Sequence, residues 1–180
     1  MLDKINRFER KWLYRSNDFL TLINSLIRSN LFFSTQHPNR RVNSIYFDNA
    51  NLSSIRQNLD GVSEKKKIRV RWYGSQNQLM NPILEIKSKK GMITNKETYK
   101  IEELEGLQFP DLKNLDLIKN VVNSKNKSKN IIEPILTTNY DRQYFVSNNS
   151  KVRATVDYNL HSINLKNLSQ MQIVKNFSFI

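Results

Sequence analysis

Hydrophobic and polar residues alternate in several separate stretches of the chain, and each stretch predicts a strand, because successive side chains of extended backbone point to opposite faces. The clearest runs from Lys67 to Gly74, where Lys67, Arg69 and Arg71 interleave with Ile68, Val70 and Trp72. Ile83 to Lys89 follows a loop from Asn77 to Pro82 and places Glu85, Lys87 and Lys89 in one phase, Leu84 and Ile86 in the other. From Asn6 to Leu13, Arg7, Glu9 and Lys11 share a phase. Ser44 to Asp48 and Ile93 to Ile101, which contains Lys96, read the same way. Two late strands complete the set: Ile135 to Val146, with Tyr140, Arg142 and Tyr144 in phase, and Lys151 to Leu160, with Lys151, Arg153, Thr155 and Asp157 in phase. Asn148-Asn149 makes the turn between them.

Helical spacing appears between these strands. Ser16-Asn17-Asp18 offers capping oxygens before Phe19, Leu20, Leu22, Ile23, Leu26 and Ile27, which form an apolar stripe ending near Asn30. His37-Pro38-Asn39 reads as a turn. Leu52, Ile55 and Leu59 make a short helix that Asp60-Gly61 ends, and Leu104 to Val122 carries Leu112, Leu115, Ile118 and Val122 at helical spacing, interrupted early by Pro110. Lys125 to Asn130 is a polar connection. No internal repeat is visible, and 180 residues suit one domain with one two-layer core.

Charge changes this picture more than composition does. The chain holds 29 Lys and Arg against 16 Asp and Glu, a net charge of +13, which calls for an anionic partner. There is no cysteine, and the two histidines, His37 and His161, stand apart, so neither a thiolate nucleophile nor a Cys- or His-built zinc site is available. Twenty-four asparagines give a polar bias, yet 38% hydrophobic residues are enough for a folded core. Only four glycines are present, and neither GxxxxGK[ST] nor GxGxxG occurs, so side chains must hold any phosphate. Charged residues follow Met1 and apolar runs are short, so a cytoplasmic protein with no transmembrane segment is expected.

The cations fall in single strand phases, and two arrangements produce that pattern. One is an open antiparallel sheet with a solvated face. The other is a curved or closed sheet whose polar phase lines a water-filled lumen beneath outer helices. On a freely exposed face mutual repulsion favours mixing in carboxylates, but only Glu9, Asp48, Glu85 and Asp157 interrupt the Lys and Arg of these phases. That imbalance favours a lumen holding a polyanion. Arg brings forked donors to phosphate oxygens there, and Lys a compact charge.

Taken together, Arg7-Phe8-Glu9-Arg10-Lys11, Ser44 to Asp48, Lys67 to Gly74, Leu84-Glu85-Ile86-Lys87, Pro134 to Arg142 and Val152 to Asp157 resemble, in order, the successive blocks of the VTC domain. That domain is the polyphosphate polymerase part of the vacuolar transporter chaperone and belongs to the triphosphate tunnel metalloenzymes, alongside the CYTH proteins. The similarity runs from Arg7 to about Leu160. It implies an α+β fold: an eight-stranded antiparallel β-barrel, the triphosphate tunnel, with helices packed on the outside, spanning residues 1–180 as a single domain.

By resemblance, Lys11, Arg69, Arg71, Lys87, Arg142 and Arg153 would grip the phosphate chain in catalysis. Lys67, Lys89, Tyr46 and Tyr140 would add substrate contacts. Glu9 and Glu85 stand where carboxylates would take part in holding Mn²⁺ or Mg²⁺, or would pair with neighbouring cations. The expected reaction is metal-dependent phosphoryl transfer, either polyphosphate synthesis from a nucleoside triphosphate or triphosphate hydrolysis. A non-catalytic module binding polyphosphate, inositol phosphate or nucleotide is the alternative. A nucleic-acid binder ranks third.

One departure bears on catalysis. The family continues into a late Glu-x-Lys strand whose Glu is the principal metal ligand, whereas this chain reads Gln172-Ile173-Val174-Lys175 and closes at Ile180. A copy ending before that strand, or a diverged member, is expected, with the sheet edge at Arg153–Leu160 open to self-association. Trp12 and Trp72 are expected in the core, and Lys65-Lys66 on a solvated flank.

Overall fold

The computed structural model describes residues 9–14, 19–127, 130–166 and 174–175. Its centre is an antiparallel sheet in the order β4-β3-β2-β1-β5-β6-β7, built from β1 (Ser34–Asp48), β2 (Lys65–Tyr73), β3 (Ile83–Lys90), β4 (Ile93–Lys100), β5 (Glu133–Val146), β6 (Arg153–Asn164) and β7 (Val174–Lys175). Three helices join it: α1 (Phe19–Ile27), α2 (Ser53–Leu59) and α3 (Leu112–Lys125).

The apolar phases turn to one face. Ile45 and Phe47 of β1, Ile68, Val70 and Trp72 of β2, and Leu84 and Ile86 of β3 pack with Leu115, Ile118 and Val122 of α3. Each such fully buried side chain contributes about 1.5–3 kcal/mol. Asp111 caps α3, accepting from the Lys113 and Asn114 amides at 2.8 and 3.5 Å. A second cluster on the same face joins Phe145 of β5 and Val156 of β6 to Leu22 of α1 and to Phe33, with Phe19, Ile23 and Leu26 against it. The expected single core is thus two clusters. Between them this face turns polar, where Arg41 donates to Asp141 Oδ2 at 2.9 Å and Asn139 Oδ1 at 2.7 Å.

Several expectations are corrected. β1 begins at Ser34, so His37-Pro38-Asn39 lies within a strand. The β1–β5 register shifts between His37 and Arg40, and β1 pairs with β2 only from Val42 onward, so the missing N–H of Pro38 interrupts no ladder on the other side. Residues 9–12 form no strand and Leu13 makes only a lone bridge. Arg10 occupies what would be the apolar phase, so the segment has no continuous side to dock. Trp12 is 58% exposed, whereas Trp72 is fully buried and donates its indole N–H to the Ser75 carbonyl at 2.8 Å. The α1 stripe is narrower than its sequence suggests, with Leu20 and Ile27 exposed, and Leu112 is exposed at the start of α3. Arg7 and the Ser16-Asn17-Asp18 cap lie outside the described residues.

The ring of strands is not closed. β4 and β7 are the ends of the described sheet, and no ladder joins them. Among the described residues β7 pairs through Val174 with Ser162 and Lys175 with His161, and no pairing returns to β4.

Candidate functional site

The antiparallel registers set the other phase into rows. Lys65 stands opposite Lys89, Lys67 opposite Lys87, and Arg69 opposite both Glu85 and Tyr46. Arg71 lies opposite Ser44. Across β1, Val42 faces Tyr140 and Arg40 faces Arg142, and Arg142 in turn faces Asp157. All of these side chains belong to the face turned away from the two apolar clusters. Ser44 and Val42 lie on this face too, yet both are fully buried. The cationic phase is therefore no flat solvated slab.

Glu85 is the hub of the β2–β4 half. Its Oε2 accepts from Arg69 Nε at 2.6 Å and lies 3.8 Å from Arg71, while its Oε1 pairs with Lys96 at 2.6 Å. Burial alone would raise this carboxyl, but the Lys96 hydrogen bond and the Arg69 and Arg71 charges outweigh it and hold it at about 2. Arg69 also donates to the Tyr46 hydroxyl at 3.2 Å and sits over its ring.

Arg142 organises the β5–β6 half through a forked pair with Asp157, Nε to Oδ1 at 2.5 Å and a terminal nitrogen to Oδ2 at 2.6 Å. Its guanidinium also lies 5.2 Å from the Tyr140 ring. Burial pushes the Tyr140 hydroxyl up, partly opposed by Arg142 and Arg71, which places residues of β5 and β2 in one electrostatic neighbourhood across β1. Beyond them Arg40 lies over the rings of Tyr73 and Tyr144. Arg153 stands further out, exposed at the start of β6.

At the opposite end the charges are lysines. The Lys67 ammonium is lowered, first by burial and then by Lys11, Lys65 and Lys87, with Tyr46 acting in the other direction. Lys11 is thus within electrostatic reach of this face although its own segment is not a strand, and it pairs with Glu9 at 3.4 Å. Two cations 4 Å apart repel by about 1 kcal/mol in water and about 4 kcal/mol at an effective dielectric of 20, so such a cluster favours a bound anion.

The four carboxylates expected among these cations have separate tasks. Asp48 caps α2, accepting from the Ser54 and Ile55 amides at 3.1 and 3.0 Å. Asp157 holds Arg142, Glu9 pairs with Lys11, and both oxygens of Glu85 face cations. Among the described residues no three His, Cys, Asp or Glu side chains group as a metal site would need. Glu9 and Glu85, the two expected metal ligands, are each paired with cations here.

Arg69, Arg71, Lys67, Lys87, Tyr46, Tyr140 and Arg142 thus share one face, with Lys89 at its exposed lysine end. Sequence reading put Tyr144 in phase with Arg142 but missed Lys96, Ser44 and Arg40 as members of this face. Lys96 was within reach: the Gly91-Met92 turn sets Lys90 opposite Ile93, and counting back puts Lys96 diagonal to Glu85. Lys66, expected in solvent, is half-buried and donates to Asn126 Oδ1 at 2.9 Å.

The VTC domain model matches residues 6–178 of the chain. No curated protein matches it significantly.

Proposed function

Because the chain belongs to the VTC domain family, we propose that its cationic face binds a linear condensed phosphate, either polyphosphate or the triphosphate of a nucleotide. The lysine rows carry this reading: Lys67 stands directly opposite Lys87, and Lys65, next in the same phase, directly opposite Lys89. A chain of closely spaced phosphates supplies the missing negative charge along a row, which a single small anion does not. Arg69, Arg71 and Arg142 would offer forked donors, Lys67, Lys87 and Lys11 point charges, and Tyr46 and Tyr140 hydroxyls. A tunnel closed around the ligand is part of the proposal, supported by the burial of Ser44 and Val42 on the cationic side.

Phosphoryl transfer to a growing polyphosphate end or to water is the catalytic form of the same reading, favoured by family membership. Positioning and charge neutralisation dominate that reaction class, and the Arg and Lys rows are suited to both. It also calls for carboxylates to hold Mg²⁺ or Mn²⁺, and the four carboxylates of the strand phases, Glu9, Asp48, Glu85 and Asp157, are engaged by cations or by helix α2. Binding is accordingly what the geometry supports best.

Titration calorimetry with tripolyphosphate and with long-chain polyphosphate tests the proposal. Wild type binds both, and Arg69→Ala with Arg71→Ala, or Lys67→Ala with Lys87→Ala, abolishes binding while circular dichroism stays native. Unchanged affinity in both double variants removes the site. Phosphate release from tripolyphosphate or nucleoside triphosphate on adding Mn²⁺ would establish turnover.

A further inference from the structure

We propose that the end of the sheet formed by the β3–β4 turn and the C-terminal end of α2 docks onto an anionic lipid surface. Gly91 and Met92 make a two-residue turn between Lys90 and Ile93, with Gly91 at φ +59°. Met92 is 100% exposed and Ile93 76%. Single exposed apolar residues are ordinary on protein surfaces, but two in sequence at the tip of a hairpin are less so.

Lysines surround this tip. Lys65, Lys66, Lys89 and Lys90 line an open depression of about 440 Å³ together with Ile93 and with Gln57 of α2. Two residues beyond Gln57, Leu59 is 81% exposed, and Val62 follows it on the way to β2. Glu64 lines the same depression and Asp60 lies in the intervening turn; with Lys66 half-buried on Asn126, the three ammonium groups of Lys65, Lys89 and Lys90 still outnumber two carboxylates. Apolar side chains projecting from a ring of cations match an anionic bilayer, whose acyl boundary takes the wedge and whose headgroups take the charge. Met92 is not part of the lining of that depression and stands beyond it, fully exposed at the tip of the hairpin. A fluid interface receives such a shape without a preformed pocket on either side, which favours lipid over a folded acidic partner.

Flotation of the full chain with phosphatidylcholine vesicles, with and without phosphatidylserine, tests this. The chain floats with phosphatidylserine vesicles only, less so in high salt, each lysine being worth about fivefold in partitioning. Met92→Asp weakens flotation by about tenfold, while leaving circular dichroism and tripolyphosphate affinity unchanged. In Met92→Trp, emission beyond that of native Trp12 and Trp72 is quenched by brominated acyl chains. The proposal is overturned if phosphatidylserine vesicles capture nothing, if Met92→Asp floats like wild type, or if brominated lipid leaves the added emission intact. Self-association without vesicles that Met92→Asp abolishes would overturn it in favour of a protein partner.

Discussion

Ser44 and Arg71 stand directly opposite each other on β1 and β2, both on the cationic face, and among the described residues neither the Ser44 hydroxyl nor Arg71 Nε has a hydrogen-bond partner although both atoms are buried. Unpartnered buried polar groups each cost about 1–3 kcal/mol. Ser44→Ala removes one of them and should leave stability unchanged or raise it by about 1 kcal/mol. Urea unfolding measures this, and a clear loss of stability would show that the hydroxyl is satisfied in solution.

Glu85 is paired with Arg69, Arg71 and Lys96, so under the proposed function it competes with phosphate for those cations. Glu85→Gln should therefore tighten tripolyphosphate binding while destabilising the free protein by about 1.5–3 kcal/mol, the usual worth of a hydrogen bond to a charged group. Thermal melts with and without tripolyphosphate separate the two effects, since added ligand should raise the variant's melting point by more than that of wild type. Weaker binding by the variant would mean that Glu85 positions the cations instead of competing for them.

Acid should expose the same residue. The folded Glu85 carboxyl titrates at about 2, below its ordinary 4.5, so its ionised form stabilises the fold. That contribution is complete above about pH 4.5 and is lost as pH falls through 2. Unfolding free energies measured across this range should show wild type and Glu85→Gln converging towards acid. A gap independent of pH would contradict the ion-pair geometry.

Lys67 gives the alkaline counterpart. Its folded pKa lies below the ordinary 10.5, so protonation costs the fold stability, and that cost is relieved as pH rises through the lowered value. A bound polyanion favours the ammonium again. Binding should take up protons at alkaline pH and weaken as pH rises. Calorimetry in two buffers of different ionisation enthalpy detects the uptake, and Lys67→Gln should reduce it.

The strands with a clean two-residue period, β2 and β3, were legible in the sequence because one side of each packs on α3 while the other carries the charge. The alternation therefore reported burial directly, and Arg69, Arg71 and Lys87 came with it. Ser34 to Arg40 was not legible, since β1 there has a single neighbour and an irregular register that accommodates Pro38. Leu79 is buried in the loop after β2, its amide donating to the Leu107 carbonyl at 2.9 Å, a long-range contact with no periodic signature. Glu85 illustrates the same limit at the site. Its phase was evident, but whether it faced a metal or three cations depended on Lys96 of another strand.

The sheet order places β1 between a locally connected meander, β2-β3-β4, and a hairpin, β5-β6, that begins some 85 residues after β1 ends. Joining the two halves requires closing that long loop, a late and entropically costly event in folding. An oxyanion chain lying over Ser44 and touching Arg71 on one side and Arg142 on the other would stitch the halves together. Ligand should then slow amide exchange most along the β1–β5 seam, giving the bound protein a cooperativity that the free one lacks.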